Sequence, residues 1–141
     1  MTRDEILALV QRRRDAWNAA DAAALAATHA EKGLVRSPTG GVLEGRAEIE
    51  RIYRLWFTAF TSVRLVDDDV LIDGDHVVQI ARFAGTQTGE FMGLAPTGRR
   101  VEVVAAIVMK VADGLVVEER RIYDFTGVLV QVGVLKAKPV A

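Results

Sequence analysis

Asp124 is the residue of this chain whose surroundings best suit acid–base chemistry. It follows a run of residues that favour a strand, and aromatic residues flank it at Tyr123 and Phe125. A carboxylate in apolar surroundings loses solvation of its charge, so it can carry a proton near neutral pH. Asp124 is therefore our candidate general acid/base. The competing interpretation is that it caps a short helix over 126–133, because aspartate often accepts hydrogen bonds from the first backbone N–H groups of a helix.

A run of four charged residues, Glu118 to Arg121, precedes Asp124 in the same predicted strand. Alternate residues of a strand point to opposite faces, so Arg120 shares a face with Asp124. If that face lines a cavity, Arg120 can pair with the carboxylate or polarise a substrate carbonyl, which makes it the second catalytic candidate. The competing interpretation, which we favour for such a run, is an exposed ladder of ion pairs that contributes little to stability.

Gln87 is a third polar candidate, at the end of a predicted strand. Its amide can orient a carbonyl or a water molecule, but it cannot exchange protons near neutral pH. The alternative, which we favour, is that Gln87 satisfies backbone groups of the loop that follows. His29 is expected near a helix end and His76 beside a hairpin turn, so neither is a strong catalytic candidate.

Large apolar side chains are concentrated on one predicted helix, over 46–60, and on the loop that follows Gln87. Such residues usually form ordinary core, but their concentration opposite an alanine-rich helix predicts a hollow for an apolar small molecule. The candidate substrate-binding residues are Trp17, Tyr53, Trp56, Phe57, Phe83, Phe91, Met92, Ile107 and Met109.

The composition excludes several classes of function. The chain has 141 residues, 50% of them hydrophobic, which fits one domain over 1–141. Its formal net charge of −1 is spread along the chain and argues against a nucleic-acid partner. It has no cysteine, only two histidines and no nucleotide-binding motif, so we expect no metal and no cofactor. Without an apolar signal core or a membrane span, we expect a cytoplasmic protein with no membrane partner.

Helices are predicted first and strands after. The helices show apolar residues at helical spacing and are a capping-box helix from Thr2 to Trp17, an alanine-rich helix from Asp21 to about Ala30, and an aromatic helix over 46–60. The segment between them, 33–45, is irregular with a short strand at 34–36. Strands are predicted at 63–66, 70–72, 76–86, 101–111 and 115–125, with hairpin turns at 73–75 and 112–114. We therefore expect an α+β fold, with a curved antiparallel sheet covered on one face by three N-terminal helices.

The glycine-rich segment from Thr86 to Val101 is the most distinctive motif in the chain, and its centre is Thr88-Gly89-Glu90-Phe91-Met92-Gly93. Shorter motifs accompany it, namely Trp17-Asn18-Ala19-Ala20-Asp21, Gly45-Arg46, Pro96-Thr97-Gly98-Arg99, Ala112-Asp113-Gly114 with Val117-Glu118-Glu119, and Asp124 followed by Leu129 to Gly133. With these pieces the chain resembles, from about residue 17 to 133, the SnoaL-like polyketide cyclases of the nuclear transport factor 2-like superfamily.

This resemblance implies an α+β cone that encloses an apolar cavity, in a homodimer formed through the sheet. It implies that Asp124 is the acid/base for aldol cyclisation or isomerisation of a hydrophobic, polyketide- or steroid-like carbonyl compound, without a cofactor. Gln87 departs from the family pattern, because many relatives carry histidine there. An Asp–Arg pair is also similar to the water-activating arrangement of limonene epoxide hydrolase-like relatives, so epoxide hydrolysis by Asp124 and Arg120 is one alternative. A non-catalytic ligand-binding dimer is another.

Overall fold

The computed structural model describes residues 1–136 as a six-stranded sheet with helices packed against it. The elements are α1 (Arg3–Asn18), α2 (Ala22–Ala27), β1 (His29–Ser37), β2 (Gly41–Glu44), α3 (Arg46–Ala59), β3 (Phe60–Asp73), β4 (His76–Gln87), β5 (Arg100–Ala112), β6 (Leu115–Tyr123) and α4 (Phe125–Gln131). The predicted α+β class is confirmed, although residues 137–141 of the predicted domain lie outside the described part of the chain. Within 1–136, no helix combines the length and apolar character needed to cross a membrane.

The sheet has the strand order β2-β1-β6-β5-β4-β3. Tight turns at Gly74 and at Asp113-Gly114, all with positive φ, join β3 to β4 and β5 to β6 as the sequence predicts. The sheet is not antiparallel throughout, because β1 and β6 run parallel. These two strands are far apart in sequence, so no hairpin constrains their relative direction.

The region between α2 and α3 differs from its prediction. The alanine-rich helix ends at Ala27 rather than near Ala30, and β1 begins at His29 rather than at residue 34. Pairing with β6 extends β1 over residues that have only a weak preference for strands. The backbone N–H of Val116 donates to the carbonyl of Thr28 at 2.9 Å. As a consequence His29 lies on a buried strand and not at a helix end.

Helix α1 begins where the sequence predicts. Thr2 and Glu5 form the capping box, with the Glu5 N–H donating to Thr2 Oγ1 at 3.2 Å. The helix buries Ile6, Leu9 and Val10 against the sheet, and Arg13 lies one turn further along the same buried face. A charged residue on this face needs buried partners, and the sheet provides them.

The loop after β4 packs tightly against the end of α3. The N–H of Gly89 donates to the carbonyl of Ala59 at 3.1 Å, and a Cβ at Gly89 would lie only 2.1 Å from the carbonyl oxygen of Thr58. Glycine is therefore required at this position. Phe91 is buried against the aromatic face of α3, and its ring centroid lies 5.2 Å from that of Trp56.

The face of the sheet opposite the helices carries exposed apolar residues. Val104 on β5 is 55% exposed and Ile122 on β6 is 51% exposed. The homodimer through the sheet, implied by the family resemblance, stays a prediction.

Candidate functional site

A cavity of about 50 Å³ lies between the sheet and the helices. Its lining residues are Trp17, Trp56, Leu65, Phe83, Val103, Ala105, Ile107, Glu119, Arg121 and Tyr123. Both tryptophans of the chain are in this set. Glu119 and Arg121 are the charged members, so the cavity is an apolar space with one polar region.

The register of β6 brings that polar region inside. Glu119 pairs with Met109 and Arg121 pairs with Ile107, both buried residues of β5. Because side chains alternate along a strand, Glu119, Arg121 and Tyr123 face the interior together.

The Glu119 carboxylate accepts hydrogen bonds from two buried guanidinium groups. Arg121 donates to Oε2 through Nε at 3.1 Å and through Nη2 at 2.9 Å. Arg13, which reaches in from α1, donates to Oε1 through Nη2. The guanidinium of Arg121 also lies over the ring of Tyr53, with its Cζ atom 4.7 Å from the ring centroid, which adds a cation–π attraction.

His29 joins this cluster as a neutral ring. Arg13 Nη1 lies 3.0 Å from His29 Nε2 and donates to Thr28 Oγ1 at 2.8 Å. Since a guanidinium can only donate, His29 Nε2 must accept, and the ring proton must be on Nδ1. Tyr53 OH lies 3.2 Å from the same Nε2 atom. We call Arg13, His29, Tyr53, Glu119 and Arg121 the buried polar cluster.

Burial and neighbouring charges fix the ionisation of the cluster. Burial, together with the positive charge of Arg13, lowers the pKa of His29 to about 3. Burial alone would raise the pKa of Glu119, but the guanidinium groups of Arg121 and Arg13 outweigh it and lower that pKa to about 2. At neutral pH Glu119 is thus ionised and His29 is uncharged, and neither is suited to shuttle a proton.

Asp124 does not project into the cavity. It is the N-cap of α4, is exposed, and accepts a hydrogen bond from the N–H of Gly127 at 2.8 Å. The capping interpretation of the sequence is confirmed, and the expectation of a poorly solvated acid at this position is wrong. The physical reason is that β6 ends at Tyr123, so Asp124 has left the strand whose inner face lines the cavity.

Arg120 is exposed on the outer face of β6, because it lies between the inward-facing residues Glu119 and Arg121. Arg120 therefore does not share a site with Glu119, the acid of β6 that faces the interior. With Asp124 also at the surface, the Asp–Arg arrangement expected for epoxide hydrolysis is not formed inside the cavity. The prediction of an exposed ladder of ion pairs from Glu118 to Arg121 is also wrong in part, since Glu119 and Arg121 are buried.

Gln87 is fully buried and supports the loop that follows β4. Its Nε2 atom donates to the carbonyls of Gly89 at 3.3 Å and Ala95 at 3.2 Å, and Thr97 Oγ1 donates to its Oε1 atom at 2.7 Å. All of these bonds are within the loop region, and Gln87 is not among the cavity-lining residues. This agrees with the structural interpretation favoured from the sequence.

The predicted substrate-binding residues fall into three groups. Four of them line the cavity, namely Trp17, Trp56, Phe83 and Ile107. Tyr53, Phe57 and Phe91 pack behind this wall, with Tyr53 in the buried polar cluster and Phe57 and Phe91 in edge or tilted contact with Trp17 and Trp56. Met109 packs under α1 with Ile6, Leu9 and Val10, and Met92 is 51% exposed at the tip of its loop, so neither of these two predicted residues lines the cavity.

Several site residues were missed from the sequence. The sequence predicts an exposed run for Glu119 and Arg121 and a helix end for His29, and Arg13 is not among its candidate site residues. A usable signal was present in α1, because Arg13 continues the apolar spacing of Ile6, Leu9 and Val10 and so had to be buried with a partner. Within residues 1–136, no group of three or more histidine or acidic side chains is arranged to hold a metal ion.

We predict that Glu119→Gln is strongly destabilising. The amide would leave two buried guanidinium groups without a counter-charge, which we expect to lower the free energy of unfolding by about 3–5 kcal/mol. Urea denaturation followed by circular dichroism measures this. The matched control is Glu118→Gln, an exposed neighbour expected to change stability by less than about 0.5 kcal/mol. Equal effects of the two substitutions would contradict the buried ion cluster.

We predict a loss of stability in mild acid that comes from His29. Its pKa is lowered from 6.5 to about 3. The stability that the neutral ring contributes is therefore complete above pH 6.5 and is lost as the pH falls towards 3. Between pH 7 and pH 5 the free energy of unfolding should fall by about 2 kcal/mol from this residue. His29→Gln, which keeps an acceptor for Arg13, should reduce the fall.

The same prediction can be tested on the folded protein by NMR. His76→Gln leaves His29 as the only histidine. Its ring signals should stay at the positions of a neutral imidazole from pH 8 to pH 5. A transition of those signals near pH 6.5 would show that the ring is not held neutral.

Comparisons with known proteins agree with this architecture. The family model described as SnoaL-like polyketide cyclase matches residues 8–132. No curated protein matches the chain. Among solved structures, TsrD from Streptomyces laurentii is 25% identical, with 96% of this chain and 99% of that chain covered and a TM-score of 0.85.

Two further structures carry descriptions of activity. A protein from Jannaschia sp. CCS1, described as a SnoaL-like polyketide cyclase, is 26% identical, with 94% of each chain covered and a TM-score of 0.84. AclR from Streptomyces galilaeus, described as a hydroxylase, is 26% identical, with 98% of this chain and 91% of that chain covered and a TM-score of 0.84. Since the family model spans most of the residues that build the sheet, the helices and the cavity, this chain belongs to the SnoaL-like polyketide cyclase family.

Proposed function

We propose that this protein is a cofactor-independent enzyme that binds an apolar carbonyl compound in the cavity and stabilises its enolate with Arg121. The observation that carries this proposal is the hydrogen bonding of one guanidinium group. Nε and Nη2 of Arg121 are held by Glu119, while Nη1 has no hydrogen-bond acceptor among residues 1–136. Arg121 also lines the cavity, so this nitrogen can donate to a bound carbonyl oxygen.

The chemistry follows from where charge develops. Aldol cyclisation and isomerisation next to a carbonyl both pass through an enolate, whose negative charge lies largely on oxygen. A fixed cation in apolar surroundings stabilises that charge more than water does, and it needs no rearrangement during the reaction. Glu119 fixes Arg121 from one side and Tyr53 supports it from another, so the donor is already in place.

The proposal assigns the catalytic effect to charge stabilisation rather than to a strong base. Glu119 is the single carboxylate among the residues that line the cavity, and its lowered pKa makes it a weak base. Asp124, the expected proton carrier, is engaged at the N-terminus of α4. The α-proton then passes to water or hydroxide from the solvent, so the substrate must be a compound whose α-proton is already acidic, such as a 1,3-dicarbonyl or a ketone with a benzylic α-carbon.

The cavity size limits what can be enclosed. Its volume of about 50 Å³ is several times that needed for one water molecule. The cavity of about 50 Å³ is roughly a third of the ~150 Å³ cavity that holds benzene in an engineered protein core, so the edge of a ring fits and the rest of the ligand extends beyond it. We propose that the reacting carbonyl and the edge of its adjacent ring are the enclosed part of the substrate.

A ligand-binding protein without catalysis is the second candidate. The observation that favours it is the same low pKa of Glu119, which leaves the cavity without an efficient proton carrier. Both candidates place a carbonyl or anionic oxygen on Arg121. They differ in whether the protein accelerates proton exchange at the α-carbon.

We predict that the protein accelerates exchange of the α-hydrogens of 2-tetralone, a ketone with a benzylic α-carbon, in D₂O. Arg121→Gln should lower this acceleration by about 10²-fold or more, because it removes the charge at the developing oxyanion. The exchange is measured by ¹H NMR. The matched control is Arg36→Gln, an exposed arginine of β1 that is expected to keep wild-type exchange.

Asp124→Asn separates this account from the one expected from the family resemblance. Asparagine also caps helices well, so folding should be preserved. We expect exchange to be retained, whereas a catalytic Asp124 requires its loss. Absence of exchange in the wild-type protein would favour the non-catalytic candidate, and unchanged exchange in a folded Arg121→Gln variant would remove Arg121 from the mechanism.

A further inference from the structure

We infer that the cavity selects ligands carrying one negative charge, such as a carboxylate or an ionised enol attached to an apolar ring, over neutral ligands of the same shape. The inference rests on the proposed function only in taking this cavity as the ligand site. It is carried by the charge and the hydrogen-bonding capacity of the buried polar cluster.

The cluster has an excess of positive charge. It contains two guanidinium groups, Arg13 and Arg121, and one carboxylate, Glu119. His29 is neutral because its Nε2 atom accepts from Arg13, and among residues 1–136 no second carboxylate lies within 4 Å of either arginine. The cluster therefore has a net charge of +1 in the interior of the protein.

Arg46 adds to this excess from the first turn of α3. It is half-buried and donates to the carbonyl of His29 through Nε at 3.1 Å and through Nη2 at 2.7 Å. Within the part of the chain that the structure describes, it forms no ion pair with a carboxylate. The positive potential at the polar end of the cavity is therefore reinforced rather than cancelled by its surroundings.

The cluster also has more hydrogen-bond donors than acceptors. Arg13 Nε and His29 Nδ1 are buried without a partner, and Arg121 Nη1 has no acceptor among residues 1–136. The acceptor atoms, in contrast, are occupied, with both Glu119 oxygens bonded to guanidinium groups. Arg13 and His29 do not line the cavity, so Nη1 of Arg121 is the donor for a ligand, and an anion, which supplies acceptors and no donors, complements it in hydrogen bonding as well as in charge.

Arg121 is the residue of the buried polar cluster to which an anionic ligand can bind. It is the arginine of the cluster that lines the cavity, and the rest of the lining beyond Glu119 is apolar or aromatic. A ring can contact Trp17, Trp56 and Phe83 while its anionic group lies against Arg121. The other ionised residue of the cavity lining is Glu119, which is itself negative. A second negative charge on the ligand would therefore have no counter-charge, and the preferred ligand is a monoanion.

Benzoate and benzamide provide a matched pair of probes. They have the same ring and nearly the same shape, but only benzoate is charged at pH 7. Because both tryptophans of the chain line the cavity, their fluorescence reports on its occupancy. We expect benzoate to bind about 10- to 100-fold more tightly than benzamide, as hydrogen bonds to charged groups exceed neutral ones.

Equal affinity, tighter binding of benzamide, or no binding of either probe would overturn the inference. Arg121→Gln should abolish the preference for benzoate, and Arg36→Gln should preserve it. If Arg121→Gln does not fold, the comparison of the two probes on the wild-type protein still decides. A preference for benzoate without exchange of 2-tetralone would uphold the anion site and overturn the proposed enzyme, so the two failures are distinguishable.

Discussion

The Glu119 carboxylate, held between the guanidinium groups of Arg13 and Arg121, connects the main parts of this fold. Arg13 comes from α1, Glu119 and Arg121 from β6, and Tyr53, which lies under Arg121, from α3. Charges buried in this way are tolerated only when each is paired and hydrogen-bonded. The N-terminal helix is thus attached to the sheet through the same carboxylate that orients the polar end of the cavity.

This arrangement explains why the cavity is suited to bind charge rather than to transfer protons. Burial and the positive charge of Arg13 keep the His29 ring neutral, and the two arginines keep Glu119 ionised to low pH. The groups that face the ligand therefore keep one protonation state across the physiological range. Stability and ligand recognition depend on the same residues, so substitutions that change one are expected to change the other.

Much of the fold could be predicted from the sequence because its signals are local. The capping box at Thr2, the hairpin turns at Gly74 and Gly114, and the aromatic face of α3 all depend on neighbouring residues. The site could not be predicted in the same way. Whether Glu119 or Arg120 faces the cavity depends on the register of β6, and a shift by one residue exchanges the two faces. Asp124 was misplaced because the end of that strand is set by tertiary packing.

The central claim is that Arg121 presents a charged donor to an apolar cavity. A crystal structure of the protein with benzoate tests it most directly. The account predicts the benzoate ring against Trp17 and Trp56, with a carboxylate oxygen about 2.7–2.9 Å from Nη1 of Arg121. A cavity filled by protein side chains, or Arg121 turned away from a ligand that is bound there, would contradict it.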